Sequence, residues 1–98
     1  MYEGSPTCKG NIIRLTEERW IHITSSHPEM AFLLEGVLNT IAAPDIIFKG
    51  DFGESISVKK INDKYLVVPY REEKNGFIIT AYITKKLRGR EIIWEAKK

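Results

Sequence analysis

The sequence holds little of what most metal-binding and redox motifs require. Cys8 is the only cysteine, so no disulfide can form within the chain and no paired-cysteine site can be built. There is no glycine-rich phosphate loop, no nucleophile elbow, and no pair of histidines spaced with a helical carboxylate. We therefore expect no cofactor and no metal, and a single thiol suits a reducing cytoplasm.

Segments directed to a membrane are also missing. No apolar run approaches the roughly 20 residues that a membrane-spanning helix needs. Residues 1–7 lack the basic start and the apolar stretch of a signal peptide. The chain has 98 residues, 43% hydrophobic and 29% charged, which is typical of one globular domain. The sequence predicts a single cytoplasmic domain over residues 1–98, with its core at about 12–95 and no membrane partner.

A strong excess of positive charge is absent, since the formal net charge is only +2. The charge is unevenly distributed, however: residues 85–98 carry six Lys and Arg against two Glu, a local +4. Such asymmetry can steer a polyanion toward one part of a domain. Lys85 and Arg88 are therefore candidate phosphate contacts, and the alternative is a solvated basic stretch that only aids solubility.

The first half of the chain has the pattern of helices. Thr16 and the two glutamates after it form a typical helix start, which predicts a first helix to about Ser25. Pro28 suits the first position of a second helix that ends at Ala43-Pro44. Six apolar residues follow one face of this second helix: Met30, Leu33, Leu34, Val37, Leu38 and Ile41.

After Pro44 the residues alternate as strands do. The predicted strands are 46–48, 54–61, 65–71, 77–84 and 92–94, with turns at 62–64 and 72–76. Pro69 cannot donate a ladder hydrogen bond and so marks an edge or a bulge. Helices ahead of strands predict an α+β fold, in which N-terminal helices pack on an antiparallel sheet.

Alternation also assigns side chains to the two faces of this sheet. We expect the helices to cover one apolar face: Ile56, Val58, Phe77, Ile79, Ala81 and Ile83. The opposite, polar face would carry Ser57, Lys59, Thr80, Tyr82 and Thr84. Lys60 alternates to the apolar face. Strand 65–71 is apolar on both faces, so its register is open, and one choice adds Arg71 to the polar face.

His22 and His27 are the only histidines, and histidine is the side chain that titrates nearest neutrality. Metal-independent RNA cleavage needs a base for the 2′-hydroxyl, cations for the phosphorane and an acid for the 5′-oxygen. The candidate catalytic residues are His22, His27, Thr80 and Tyr82. The candidate substrate-binding residues are Arg19, Lys59, Lys60, Arg71, Lys85 and Arg88.

Each of these features also has a structural interpretation. A histidine before a proline at a helix junction commonly caps or packs, and Thr80, Tyr82 and Thr84 are good strand formers. A non-catalytic RNA- or protein-binding module is therefore the alternative function. A scaffold with no role in nucleic-acid binding is a third.

Four segments together resemble a known group of proteins: Trp20–Glu29, Val37–Ile47, Lys64–Val68 and Phe77–Thr84. They are similar to small phage- and mobile-element-associated nucleases of the barnase–EndoU–colicin–RelE-like (BECR) group. The resemblance implies helices followed by a curved antiparallel sheet, a metal-independent endoribonuclease that leaves a 2′,3′-cyclic phosphate, and toxin-like action. It also implies RNA as substrate and an antitoxin or immunity protein as partner. Within the chain it implies roles for His22 or His27, and for Thr80 and Tyr82.

Overall fold

A computed structural model describes residues 2–7, 10–73 and 75–96, so Cys8 and the last two lysines lie outside the described residues. The described chain begins with two strands, continues through the helices and ends with six further strands. The strands are β1 (Tyr2–Pro6), β2 (Ile12–Leu15), β3 (Ile46–Lys49), β4 (Ser55–Ile61), β5 (Lys64–Arg71), β6 (Phe77–Ile78), β7 (Tyr82–Thr84) and β8 (Ile92–Glu95). The helices are α1 (Glu17–Ser26), a 3₁₀ helix (Pro28–Phe32) and α2 (Leu34–Ala42).

Helix α1 forms as the sequence predicts. The Thr16 hydroxyl accepts a hydrogen bond from the Arg19 N–H at 3.1 Å, and two glutamates occupy the first turn. The helix ends at His27, whose N–H still donates to the Ile23 carbonyl. Proline at position 28 has no N–H to continue the α-helical ladder.

The second predicted helix is divided. Pro28–Phe32 is a 3₁₀ helix, Leu33 separates it from α2, and the Met30 N–H donates to the His27 carbonyl. The predicted apolar face is nevertheless confirmed. Three of its residues are buried and the other three pack against the same core: Met30, Val37, Ile41, Leu33, Leu34 and Leu38.

The sheet is mixed and open rather than antiparallel throughout. Its strand order is β1-β2-β6-β5-β4-β3-β8, with β7 also paired to β5. The β2–β6 pair is parallel and joins Arg14 to Phe77, while the other pairs are antiparallel. The sequence pattern missed β1 and β2, which are short and precede the helices. The α+β class is confirmed, as two α-helices packed on a mixed sheet, and within the described residues no helix is long and apolar enough to cross a membrane.

The predicted strand 77–84 is interrupted by a β-bulge. Tyr70 pairs with Ile78 and Val67 pairs with Tyr82. The two β5 residues are three positions apart and their partners four, so the partner strand contains one extra residue. The Ile79 N–H donates to the Pro69 carbonyl. The N–H and C=O groups of one residue in an antiparallel strand point to the same neighbouring strand. Because the Pro69 carbonyl faces β6 and β7, the hydrogen-bond donor that proline lacks is also lost on the side of β6 and β7. Of the two alternatives predicted for Pro69, an edge or a bulge, the structure has the bulge, with the extra residue in the partner strand.

This extra residue changes which side chains point inward. Ile78 is buried while Phe77 is 44% exposed, and Ile79 belongs to neither core. The prediction that Phe77 and Ile79 face the helices is therefore wrong. It holds for Ala81 and Ile83, which contribute to the core beneath the helices.

The side chains of strand β4 lie on the opposite faces of the sheet from those predicted. Ser57 pairs with Val68 and Lys59 with Leu66, so both lie on the side covered by the helices, the helix face. Ile56 and Val58 lie on the other side, the far face, in a second core. The segment 85–91 crosses that face between β7 and β8 and packs Leu87 on it. A strand with apolar partners on both sides does not reveal its orientation by alternation alone.

Two hydrophobic cores therefore flank the sheet. The core on the helix face contains Ile13, Leu15, Trp20, Ile23, Met30, Val37, Ile41, Leu66, Val68, Tyr70, Ile78 and Ala81. The core on the far face contains Phe48, Ile56, Val58 and Val67, with Ile46, Tyr65, Tyr82 and Leu87 packed against it.

Substitution Ser57→Ala is expected to stabilise the protein. The Ser57 hydroxyl is buried and, within the described residues, has no hydrogen-bond partner. Leaving such a group unpaired costs about 1–3 kcal/mol, so its removal should raise the free energy of unfolding by about 1 kcal/mol. Thermal unfolding should show a rise in Tm of about 4–8 °C. The matched control is Thr40→Val, because the equally buried Thr40 hydroxyl donates to the Gly36 carbonyl at 2.7 Å. That variant should lose stability, and a lower Tm for Ser57→Ala would contradict the assignment.

Substitution Gly76→Ala should weaken the junction between β2 and β5. A Cβ at this position would lie 2.6 Å from Ile13 Cδ1 and 2.8 Å from the Arg71 carbonyl oxygen. The carbonyl cannot move without disturbing the strand, so the free energy of unfolding should fall by about 1–3 kcal/mol. Urea denaturation measures the change. Gly89→Ala, where no heavy atom lies within 4 Å, should be close to neutral, and equal effects of the two variants would refute this account.

Candidate functional site

The two histidines lie on opposite sides of α1. His22 is exposed on the outer surface, where it lines a depression of about 650 Å³ with Thr16, Arg19 and Ser25. His27 ends the helix on the side of Trp20 and Ile23, and 37% of its side chain is exposed. On an α-helix, position 22 shares a side with position 19, whereas position 27 shares one with positions 20 and 23. The fold turns only His27 toward the sheet.

His27 contacts one of the predicted catalytic residues. Its ring centroid lies 5.9 Å from that of Tyr82, with the ring planes tilted by 36°. His27 Nδ1 lies 3.7 Å from Glu29 Oε2. The 3₁₀ helix packs against β7, which brings a residue from the helical half of the chain beside one from the last third. The His27 imidazole therefore lies beside a phenol ring and a carboxylate at this position.

A cleft of about 320 Å³ adjoins this contact. It is lined by Glu29, Lys64, Ile83, Thr84 and Lys85. We name His27, Glu29, Lys64, Tyr82, Thr84 and Lys85 the edge site, because they surround β7 at the edge of the sheet. The two ammonium groups can bind phosphate oxygens, and the imidazole and phenol can exchange protons.

Thr84 has a local structural role in the edge site. Its Oγ1 donates to the Lys86 carbonyl at 3.0 Å and accepts from the Lys86 N–H at 3.3 Å. These bonds hold the turn that follows β7 and thereby position Lys85. Tyr82 lies opposite Val67 and Thr84 opposite Tyr65, so both belong to the far face.

The remaining predicted site residues lie elsewhere. Lys59 is on the helix face, where Nζ donates to the Ala43 carbonyl at the end of α2 at 2.8 Å. Lys60 is on the far face, so the predicted sides of these two lysines are reversed. Thr80 lies partly buried in the bulge, and Arg19 lies beside His22.

Two predicted arginines lie on or near the far face but away from the edge site. Arg71 shares that face with Val67, four residues earlier on β5, which corresponds to about 13 Å. Arg88 is exposed in the crossing segment 85–91. Of the ten predicted residues, the fold brings His27, Tyr82 and Lys85 together.

Glu29 and Lys64 were not among the predicted site residues. Glu29 follows His27 by two positions, and its proximity depends on the turn at Pro28. Lys64 begins β5, directly after the turn at Asn62, whose φ of 56° is the left-handed conformation that such a turn needs. Lys64 could have been found because its strand neighbours the hydroxyl-bearing strand in a hairpin meander.

In the part of the chain that the structure describes, no group of three or more His, Cys, Asp or Glu side chains could hold a metal ion. No family model, curated protein or solved structure compared with the chain matches it.

The edge site is expected to bind inorganic phosphate more strongly than the depression around His22. Two lysines and one glutamate, Glu29, border the edge cleft, whereas the outer depression carries one arginine and one glutamate, Glu18. In an NMR titration with phosphate, amide shifts should concentrate at Glu29, Thr84 and Lys85. Lys85→Gln should reduce the affinity roughly tenfold, as expected for loss of one charge-assisted hydrogen bond. Shifts confined to α1 residues near His22 and Arg19 would reassign the anion site.

Proposed function

We propose that the protein is a metal-independent endoribonuclease that acts at the edge site. The observation that carries the proposal is the contact of His27 with Tyr82 and Glu29 beside a cleft bordered by Lys64 and Lys85. These are the side chains that general acid–base cleavage of RNA requires.

In this proposal, His27 exchanges a proton with the reacting ribose phosphate. As a base, the ring takes the proton of the 2′-hydroxyl, whose oxygen attacks phosphorus while the bond to the 5′-oxygen breaks. The products are a 2′,3′-cyclic phosphate and a 5′-hydroxyl. Glu29 lies near enough to stabilise the positive charge that develops on the ring.

Tyr82 and the two lysines complete the reaction. In this proposal, the Tyr82 phenol donates a proton toward the leaving oxygen or orients the phosphate. Lys64 and Lys85 stabilise the negative charge of the phosphorane. The proposal assigns the chemistry to His27 and leaves His22, on the outer side of α1, outside the reacting centre.

The proposal includes membership of the BECR group, with cytoplasmic, toxin-like action and an antitoxin or immunity protein that masks the edge site. The α+β arrangement of helices on a sheet supports it. The parallel β2–β6 pair and the strands before α1 depart from the all-antiparallel sheet that the resemblance implies.

A non-catalytic RNA-binding module is the second candidate function. The wide spacing of the cationic residues favours it, because Arg19, Lys59 and Arg71 lie on different surfaces. Such a distribution suits contacts along a polyanion better than convergence on a single phosphate.

RNA cleavage by matched variants tests the proposal. Purified wild type, His27→Gln, Tyr82→Phe and His22→Gln are incubated with total cellular RNA in EDTA, and cyclic-phosphate ends are measured. His27→Gln should lower the rate roughly 10²- to 10⁴-fold, as expected for loss of a general acid or base. Tyr82→Phe should also lower it, while His22→Gln, which changes a surface residue on the opposite side of α1, should cut like the wild type.

Circular dichroism and thermal unfolding check that each variant is folded. Equal cutting by wild type and His27→Gln would refute the assignment of His27. Intact RNA in every lane, together with an RNA complex on native gels, would replace the nuclease by the binding module.

A further inference from the structure

Three side chains form a row on the far face at the end distant from the edge site. Arg14 of β2 pairs with Phe77 of β6, and Phe77 pairs with Arg71 of β5. Residues that pair across neighbouring strands lie on the same face of a sheet, so Phe77 lies between Arg14 and Arg71 in this row. Phe77 is on this face because the bulge shifts the register, and 44% of it is exposed.

A second exposed ring belongs to the neighbouring β3–β4 loop. The Arg71 guanidinium approaches the β3–β4 loop, where Nη1 lies 3.5 Å from the position of a Cβ on Gly53. The preceding residue, Phe52, is 80% exposed. An ion pair of 2.9 Å between Arg90 and Asp51 holds this loop to the segment that crosses the far face. We name Arg14, Phe52, Arg71 and Phe77 the aromatic platform.

Two acids, Glu72 and Glu73, lie close to the platform, since both line a pocket with Arg14. Glu73 lies 3.8 Å from Arg71, but 76% of its side chain is exposed, and an exposed pair of this length contributes little. Glu72 Oε2 already accepts hydrogen bonds from Thr7 Oγ1 at 2.6 Å and Asn11 Nδ2 at 3.0 Å. Arg14 forms no side-chain ion pair within the described residues. A phosphate can therefore displace Glu73 without leaving a buried charge unpaired.

We propose that the aromatic platform binds single-stranded RNA, with bases stacked on Phe77 and Phe52 and phosphates held by Arg14 and Arg71. Exposed aromatic rings accept any unpaired base, and the planar guanidinium matches phosphate with two parallel hydrogen bonds. Phe77 lies between two arginines in the row, and Phe52 belongs to a loop that the Arg71 guanidinium approaches, so one nucleotide can contact a ring and a guanidinium together. A duplex keeps its base faces stacked and cannot use the rings.

In the proposed nuclease, on which this part of the inference rests, the platform would hold the RNA substrate near the edge site. Tyr82 and Thr84 of the edge site share the far face with the platform, about 13 Å from it along β5 between Val67 and Arg71, whereas Lys64, which pairs with Ile61, lies on the helix-face side of the same edge. A single strand held by the platform would place a nearby phosphate at the edge site. The substrate class would then be unpaired rather than duplex RNA.

Fluorescence anisotropy with a labelled, uncleavable 2′-O-methyl RNA 12-mer tests binding separately from cleavage. Phe77→Ala should weaken binding roughly tenfold or more, as expected for one stacked base. Phe52→Ala tests the same contact at a residue that is too exposed to affect folding. Arg14→Gln should weaken binding and reduce the slope of log Kd against log salt by about one. The same 12-mer annealed to its complement should bind at least several-fold more weakly.

Two controls lie away from the platform. Phe32→Ala removes a ring that is 98% exposed on the 3₁₀ helix, and Lys49→Gln removes a cation from the helix-face side of β3. Both should bind within twofold of the wild type at moderate salt. Losses for these controls equal to those for Phe77→Ala and Arg14→Gln would overturn the proposal.

Equal affinity of wild type and both ring variants would also overturn it. Failure of the wild type to bind RNA at low salt would also overturn the proposal. If the protein then self-associates, and Phe77→Ala abolishes that self-association, the surface binds a second copy of the chain. Binding that depends on the rings, in a protein that cuts no RNA, would support the platform and refute the nuclease. RNA cleavage by a protein whose RNA binding does not depend on the rings would support the nuclease and refute the platform.

Discussion

The pairing of β5 is the constraint on which the rest of the structure depends. This strand pairs with β4 on one side and with β6 and β7 on the other. Its alternate residues enter different cores: Leu66, Val68 and Tyr70 lie under the helices, and Val67 lies on the far face. Burial of apolar side chains on both faces stabilises the strand at the centre of the sheet and fixes its register, because a slip of one residue would exchange the two sets.

Pro69 transmits this constraint to the neighbouring strands. It offers no N–H toward β6 and β7, and the partner accommodates the gap with one extra residue. The bulge has two consequences at once. It keeps Tyr82 on the far face, within reach of His27, and it places Phe77 on that same face between two arginines. A single backbone irregularity thus brings Tyr82 of the edge site and Phe77 of the aromatic platform onto one surface.

The helical half contributes through the way α1 ends. Pro28 stops the α-helix and starts a 3₁₀ helix, which packs against β7 and carries both His27 and Glu29 to the sheet edge. A continuous helix would have directed these residues along a common axis away from the strand. The two histidines are therefore unequal: one belongs to a surface that contains an aromatic ring, an acid and two lysines, and the other faces outward with Arg19.

Local signals in the sequence determined much of the architecture. The cap at Thr16, the apolar stripe from Met30 to Ile41, the turn at Asn62 and the irregularity at Pro69 all depend on neighbouring residues. They could be predicted because hydrogen bonding and side-chain periodicity act over a few positions. The α+β class follows from their order.

The orientation of β4, the short strands β1 and β2, and the parallel contact of Arg14 with Phe77 were decided only by tertiary structure. Ile56 and Val58 could have faced either side, since segment 85–91 supplies an apolar cover that no local pattern reveals. Predicted site residues such as Lys59 and Arg71 were separated for the same reason. Which residues share a surface depends on strand pairing between distant segments, and the free energy that selects this pairing comes from burying whole faces rather than from any residue's neighbours in the chain.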